Sequence, residues 1–246
     1  MPARRATAVA VALVVLLGAC DDGGETAETG GDSTTSTTEA PTTTAAPTTT
    51  SGSVPVGGLE QPALWPSPEI VFNDPIAAAT DFLDLVIGAG EAGEFRQGDS
   101  RSGEVDVLFR GEGGGQEIVR STLLLRQLGE EDGWFVIAAV NPNAAITSPE
   151  AGATISLGSP FTVEGVARGF EGNVVVSARP AGVAGEPFDE AVTTAGALAD
   201  PEPFTVELTV GTASPGDVVM LLVQGGVGLE TDPGDFGAIP VVAVAT

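Results

Sequence analysis

The sequence predicts two folded units of different class behind a disordered lead. The first, over 59–145, is a small α+β domain with one helix on an antiparallel sheet. The second, over 146–246, is an all-β sandwich. Three observations predict this. Residues 20–58 are polar and rich in Thr, Pro and Ser. Residues 76–87 repeat apolar side chains every three or four positions, as one face of a helix does. Beyond about residue 104, short apolar runs alternate with polar residues and are broken by Gly, Pro, Asn and Asp, as strands are.

At the start of the chain, Arg4 and Arg5 precede an apolar run from Ala8 to Leu17. That run is too short to cross a hydrocarbon layer of ~30 Å. Gly18, Ala19 and Cys20 close it, and Cys20 is the one cysteine in the sequence. The order of basic start, apolar run and small residues is that of an export leader. Arg4-Arg5 lacks the rest of a twin-arginine export signal and serves as a plain basic start. Leu17-Gly18-Ala19-Cys20 resembles the lipobox of bacterial lipoproteins. The resemblance implies a signal peptide over 1–19, cleavage between Ala19 and Cys20, and palmitate-type acylation of Cys20. The chain is then expected to hold the lipid bilayer through acylated Cys20 and to face outward from the cell membrane. Each buried methylene contributes about 0.8 kcal/mol, so two or three acyl chains anchor firmly where one is marginal. A single cysteine also rules out an internal disulfide.

Residues 20–58 form the expected tether. Asp21, Asp22, Glu25 and Glu28 open it, and Ser33 to Ser53 is mostly Thr, Ser, Ala and Pro. Such a segment has too little apolar surface to offset the entropy of ordering it. Its expected role is to space the folded part away from the membrane.

Composition excludes much chemistry. The sequence has 34 acidic residues against nine basic ones, a net charge of −25, and no histidine or tyrosine. All nine basic residues are arginine. The lack of lysine beside abundant Ala, Gly, Val and Arg suggests a high-GC, actinobacterial genome. So negative a chain repels nucleic-acid phosphates, and no nucleic-acid partner is expected. Without histidine or lysine, no Ser-His-Asp, Cys-His or Ser-Lys site can form. Zinc and copper sites lack imidazole, which leaves oxygen-ligand metals such as calcium.

In the first unit, Leu59 to Pro68 is a Pro-rich lead-in with Trp65 as its anchor. Asn73-Asp74-Pro75 reads as a helix start, with a capping side chain followed by proline in the first turn. Ile76, Ala79, Phe82, Leu83, Val86 and Ile87 form the apolar stripe, and Gly88 and Gly90 end it. Residues 94–99 suit a short strand or a loop. Val105, Val107 and Phe109 alternate with Glu104, Asp106 and Arg110. Across the flexible 111–115 connection, Val119, Ser121, Leu123 and Leu125 share a face, with Arg120 and Arg126 opposite. Trp134 to Val140 is the next strand. Arg110, Arg120 and Arg126 stand on adjacent strands near Glu104 and Asp106, an arrangement expected to give cross-strand ion pairs rather than an anion site. This unit resembles small domains that precede immunoglobulin-like modules in actinobacterial envelope lipoproteins.

Asn141-Pro142-Asn143 turns the chain into the second unit. Strands are expected near 146–148, 153–157, 161–168, 173–179, 188–194, 203–210, 217–224 and 239–244. Phe204, Val206, Leu208 and Val210 alternate with Thr205, Glu207 and Thr209, the pattern of a half-buried strand. Val218 to Val223 is apolar on both faces and is expected to be central or covered by the neighbouring domain. Pro240 has no N–H to give to a ladder, so the last strand is expected at an edge. Ile146-Thr147-Ser148-Pro149, Ser159-Pro160-Phe161-Thr162-Val163-Glu164-Gly165 and Phe170-Glu171-Gly172 resemble the immunoglobulin-like domain of bacterial spore-germination-type proteins. The resemblance implies an extracellular sandwich that mediates association and no reaction. Phe161 and Val163 should point inward, Gly165 permit a bend, Phe170 plug the sandwich end and Gly172 turn the chain. Glu171 is expected to make a loop hydrogen bond.

No catalytic residue, metal ligand or cofactor is predicted. Glu230, Asp232 and Asp235 are the set of acidic residues that offers oxygen ligands to calcium, though their spacing follows no calcium loop. The expected function is a non-catalytic envelope lipoprotein that binds or scaffolds, with an envelope protein or wall polymer as partner. The alternative is a glycan-directed hydrolase using paired carboxylates.

Overall fold

A computed structural model describes residues 58–111, 115–197 and 200–246 of the chain. The leader, Cys20 and the tether up to residue 57 lie outside the described residues. Among the described residues no helix is long and apolar enough to cross a membrane.

Among the described residues the fold is one α-helix and twelve strands in two sheets, an α+β arrangement leading into an all-β sandwich. Helix α1 spans Pro75–Phe82 and runs into a π-helical turn, Leu83–Ile87. Its start is the expected one. The Asp74 Oδ1 accepts the Ile76 N–H at 2.8 Å, and Pro75 occupies a position whose N–H would have no helical partner. The Gly88 N–H donates to the Leu83 carbonyl at 2.7 Å and closes the wide last turn. Ala79, Phe82 and Leu83 are buried, with Ala78 beside them, and Val86 and Ile87 pack on the margin. Ile76, placed in the stripe by its spacing, is 38% exposed because it lies in the first turn, ahead of the sheet that the helix covers.

Strands β1 (Glu91–Gln97), β2 (Ser102–Arg110), β3 (Glu117–Leu128) and β4 (Gly133–Val140) form an antiparallel meander. Val105, Val107, Leu123 and Leu125 face the helix. Val119, two residues before Ser121, is instead 50% exposed, opposite the place where the β2–β3 register shifts between Val107 and Leu108. The lead-in docks as expected. Trp65 is buried and forms an isolated antiparallel bridge with Val136, while its indole N–H donates to Asp81 on α1 at 2.8 Å.

The eight runs read after residue 143 all become strands. They are β5 (Ala144–Ser148), β6 (Thr154–Ser156), β7 (Pro160–Ala167), β8 (Asn173–Pro180), β9 (Asp189–Thr194), β10 (Glu202–Thr209), β11 (Val218–Gly225) and β12 (Phe236–Val244). The main sheet runs β1-β2-β3-β4-β12-β11-β8-β9, with β6 added parallel to the end of β12. A second sheet, β10-β7-β5, packs on it. Strands from 91–140 and from 154–244 therefore belong to one hydrogen-bonded sheet, joined where Ala139 of β4 faces Ala238 of β12.

Strand alternation explains how this sheet serves two cores. Met220 and Leu222 of β11, with Phe236 and Ala238 of β12, pack with α1. Val219, Leu221 and Val223, with Val241 and Ala243, pack with Val163, Phe204 and Leu208 of the small sheet. Side chains two apart share a face, so a strand apolar at every position is the one that separates two interiors.

Pro240 does not mark an edge. Strand β12 lies inside the sheet, paired with β11 from Phe236 to Val242. The Pro240 carbonyl accepts the Gly152 N–H at 2.7 Å, so it points away from β11. The nitrogen of the same residue points the same way, into the gap where pairing passes from β4 at Ala238 to β6 at Val242. No ladder bond is lost, because the missing donor falls between two neighbours.

Gly165 is required for close approach. A Cβ there would lie 2.2 Å from the Ala145 carbonyl oxygen and 2.7 Å from the Phe204 ring. The accompanying irregularity is carried by β5, whose register against β7 shifts between Ile146 and Ser148.

Candidate functional site

A polar cleft lies where β3, the turn after β7 and the loop between β11 and β12 meet. It encloses about 300 Å³ and is lined by Arg120, Arg168, Phe170, Asp232 and Asp235 among glycines. Arg120 stands on β3. Its Nε donates to Asp232 Oδ1 at 2.8 Å, its Nη2 to Asp232 Oδ2, and its Nη1 to Asp235 Oδ1 at 3.5 Å. Arg168 follows β7 and donates through Nε to Asp235 Oδ2 at 2.8 Å. The guanidinium of Arg120 lies 5.6 Å from the centre of the Phe109 ring, within cation–π range.

Burial sets the worth of these pairs. The side chains of Asp232 and Asp235 are 9% and 7% exposed, and that of Arg120 is 18% exposed. Two carboxylates removed from water need matching charge and donors, which the two arginines and the Gly234 N–H, 3.0 Å from Asp232 Oδ1, supply. The loop is fixed as well by Gln224, whose amide donates to the Pro233 carbonyl at 2.8 Å. From the other side, the Asn141 amide donates to the Arg120 carbonyl at 2.5 Å and its Oδ1 accepts the Asn143 N–H at 2.7 Å. The Asn141-Pro142-Asn143 turn is thus held against the strand that carries Arg120.

The Phe170-Glu171-Gly172 motif reaches the opposite wall through Phe170. It folds as a single 3-10 turn in which Glu171 adopts φ 56° and ψ 20°. A non-glycine residue in this left-handed region costs about 1–2 kcal/mol. The turn is pinned by the Phe170 N–H, which donates to the Gly226 carbonyl at 2.7 Å. At Gly169 a Cβ would lie 2.0 Å from the Asn173 carbonyl oxygen, so only glycine lets the two chains cross here. Phe170 does not plug the sandwich. It is 43% exposed and its ring borders Gly228 on the cleft rim, because the tight turn aims it outward. Glu171 is exposed.

The acidic loop whose composition offers oxygen ligands is tied to arginine instead. Asp232 and Asp235 are committed to guanidiniums, and among the described residues no three His, Cys, Asp or Glu side chains stand close enough to hold a metal ion. The arginines of the meander also separate. Arg110 donates to Glu117 across β2 and β3 at 2.9 and 2.6 Å, an exposed pair as expected. Arg126 pairs with no carboxylate among the described residues, and Arg120 leaves the meander for the β11–β12 loop. Asp106 pairs with Arg96 of β1, which also reaches Glu104 at 3.3 Å. The Arg96 guanidinium, helped by the Thr122 hydroxyl 2.8 Å away, holds the Asp106 carboxyl below the usual carboxylate range despite partial burial.

Arg168 was not singled out in the sequence. A pairing that joins positions 67 apart leaves no local pattern. The one hint is that a scarce arginine stands just before the Gly169-Phe170-Glu171-Gly172 run.

Fold and site together define a β-sandwich body carrying a polar, arginine- and aspartate-lined cleft. Residues 143–224 match the family described as the immunoglobulin-like domain of bacterial spore germination, about one third of the chain. The match ends within β11, so Arg168 and Phe170 lie inside it, whereas Asp232, Asp235 and the whole of β12 lie beyond it. Comparison with curated proteins and with solved structures gave no match.

Proposed function

We propose that this chain is a lipid-anchored envelope lipoprotein, non-catalytic, which presents its folded body on the extracytoplasmic face as a binding or scaffolding module for an envelope protein or wall polymer. The observation that carries the binding role is the immunoglobulin-like match over residues 143–224. The anchor rests on Leu17-Gly18-Ala19-Cys20 and the apolar run before it. A glycan hydrolase would need one carboxyl group free to donate a proton and a second free to act as base or nucleophile. In the cleft both aspartates are bound by arginine, which favours the association role.

The anchor is tested by fractionating cells that express the chain or its Cys20→Ser variant. The native chain should sediment with membranes, lack residues 1–19 and carry acyl mass on Cys20, while the variant should appear in the soluble fraction. An uncleaved native protein in the cytosol would refute the anchor. Crosslinking in intact envelopes, followed by recovery of the full chain, should yield a repeatable protein or polymer partner.

A further inference from the structure

We propose that the cleft between the Phe170–Gly172 turn and the β11–β12 loop binds one ring of a neutral saccharide. The inference rests on the binding-module reading and names its ligand class. Charge makes the first selection. Arg120 and Arg168 are balanced by Asp232 and Asp235, each of which is ion-paired. A cation finds no free carboxylate here. An anion finds no surplus positive charge among the lining residues, and it must approach a chain of net charge −25.

What the cleft offers instead is a set of fixed polar groups beside an apolar plate. The Nε of Arg168 is used by Asp235, while its two Nη groups have no protein partner among the described residues, and its side chain is 36% exposed. Those N–H groups can donate to ligand oxygens without breaking the network. Asp232 Oδ1 is filled by Arg120 and the Gly234 N–H, but Asp232 Oδ2 and the two Asp235 oxygens each keep a second lone pair that can accept from hydroxyls, which both donate and accept. The Phe170 ring, 43% exposed, supplies a flat apolar surface. A pyranose has this pattern in reverse, with a face of C–H groups and a rim of hydroxyls.

Size and strain agree with this assignment. A volume of about 300 Å³ lies at the bottom of the ~300–1,000 Å³ usual for ligand clefts, which suits one ring. The left-handed Glu171 keeps Phe170 turned out of the sandwich, where burial would otherwise reward it. A backbone that holds a large aromatic side chain at a cleft rim at such cost is arranged for contact with something outside the protein.

The test is calorimetric titration of the full-length chain in detergent with neutral hexopyranose and N-acetylhexosamine oligosaccharides, and with oligogalacturonate as the anionic counterpart. Saturable binding of a neutral saccharide is expected, weakened at least about tenfold in Phe170→Ala, the loss that follows truncation of an aromatic anchor. The melting temperature of that variant should hold, because the ring is exposed. Arg168→Lys, which keeps a charge beside Asp235 and loses the planar fork, should weaken binding as well. The proposal is overturned if no neutral saccharide binds, if Phe170→Ala binds as the native chain does, or if oligogalacturonate binds more tightly. If envelope crosslinking recovers the same partner with the native chain and with Phe170→Ala while saccharides fail to bind, the saccharide cleft falls and the binding-module reading stands.

Discussion

Arg120 on β3 grips Asp232 through two nitrogens across 112 positions of sequence, and in doing so it ties the helical half of the body to the loop that precedes its last strand. Removing either partner leaves a largely buried charge without its counter-ion. Arg120→Ala and Asp232→Ala should each cost about 3 kcal/mol of unfolding free energy. The double variant Arg120→Ala with Asp232→Ala should cost clearly less than the sum, because it removes both charges of the pair together. Urea unfolding of the four proteins gives the coupling directly. Additive losses would mean that the pair contributes nothing as a pair.

Pro240 sits inside a sheet without disturbing it, and the neighbouring position should be far less tolerant. Its carbonyl points to Gly152, away from β11, so Pro240→Ala adds an N–H where no ladder partner is required. The change should lower stability by no more than about 1 kcal/mol, chiefly through greater freedom of the unfolded chain. Val241→Pro should be severe, since residues alternate in direction and the Val241 N–H faces β11. Thermal unfolding of the two variants decides the matter. Equal losses would place the proline nitrogen wrongly.

Asp106 gives stability a defined response to acid. Its carboxyl is held below the usual range by Arg96 and Thr122, so the unfolded chain binds a proton at a higher pH than the folded one. The contribution is fully present above the unfolded value of about 3.9. It is lost as pH falls through the lower, folded value. Asp106→Asn should therefore flatten the fall of stability below about pH 4 and leave its slope near neutrality unchanged. Denaturant midpoints measured across that range report it. Arg96 is half exposed, so the loss at neutral pH should stay within about 1 kcal/mol.

Gly165 tests the contact between the strands of the small sheet. Gly165→Ala places a methyl group 2.2 Å from the Ala145 carbonyl oxygen, and both the backbone and the Phe204 ring must move. A loss of about 1–3 kcal/mol is expected. A companion Phe204→Leu change should restore part of it if the ring is the obstacle, and none if the carbonyl is.

Local order was written plainly in the sequence. The helix start at Asp74-Pro75 and the strands from Val105 onward follow from capping chemistry and period-two alternation, which act within a few residues. How the strands join was not legible. Nothing near Ala139 or Ala238 announces that these two alanines meet, since a single sheet across both halves is decided by packing on two faces at once. The doubly apolar run Val218 to Val223 was the sign that something covers both sides, and the structure identifies the two coverings as α1 and the β10-β7-β5 sheet. Pro240 and Phe170 misled for a related reason. Each residue type has a usual environment, and each here occupies a local exception, a gap between two neighbouring strands and a left-handed turn.

The wall formed by β11 and β12 leaves this body without a hinge. A cut near residue 146 would strip the greasy side of Met220, Leu222 and Phe236, so the liberated piece would clump rather than persist. Melting should accordingly occur in one step, and limited proteolysis should yield either the intact body or short peptides, with no durable half in between.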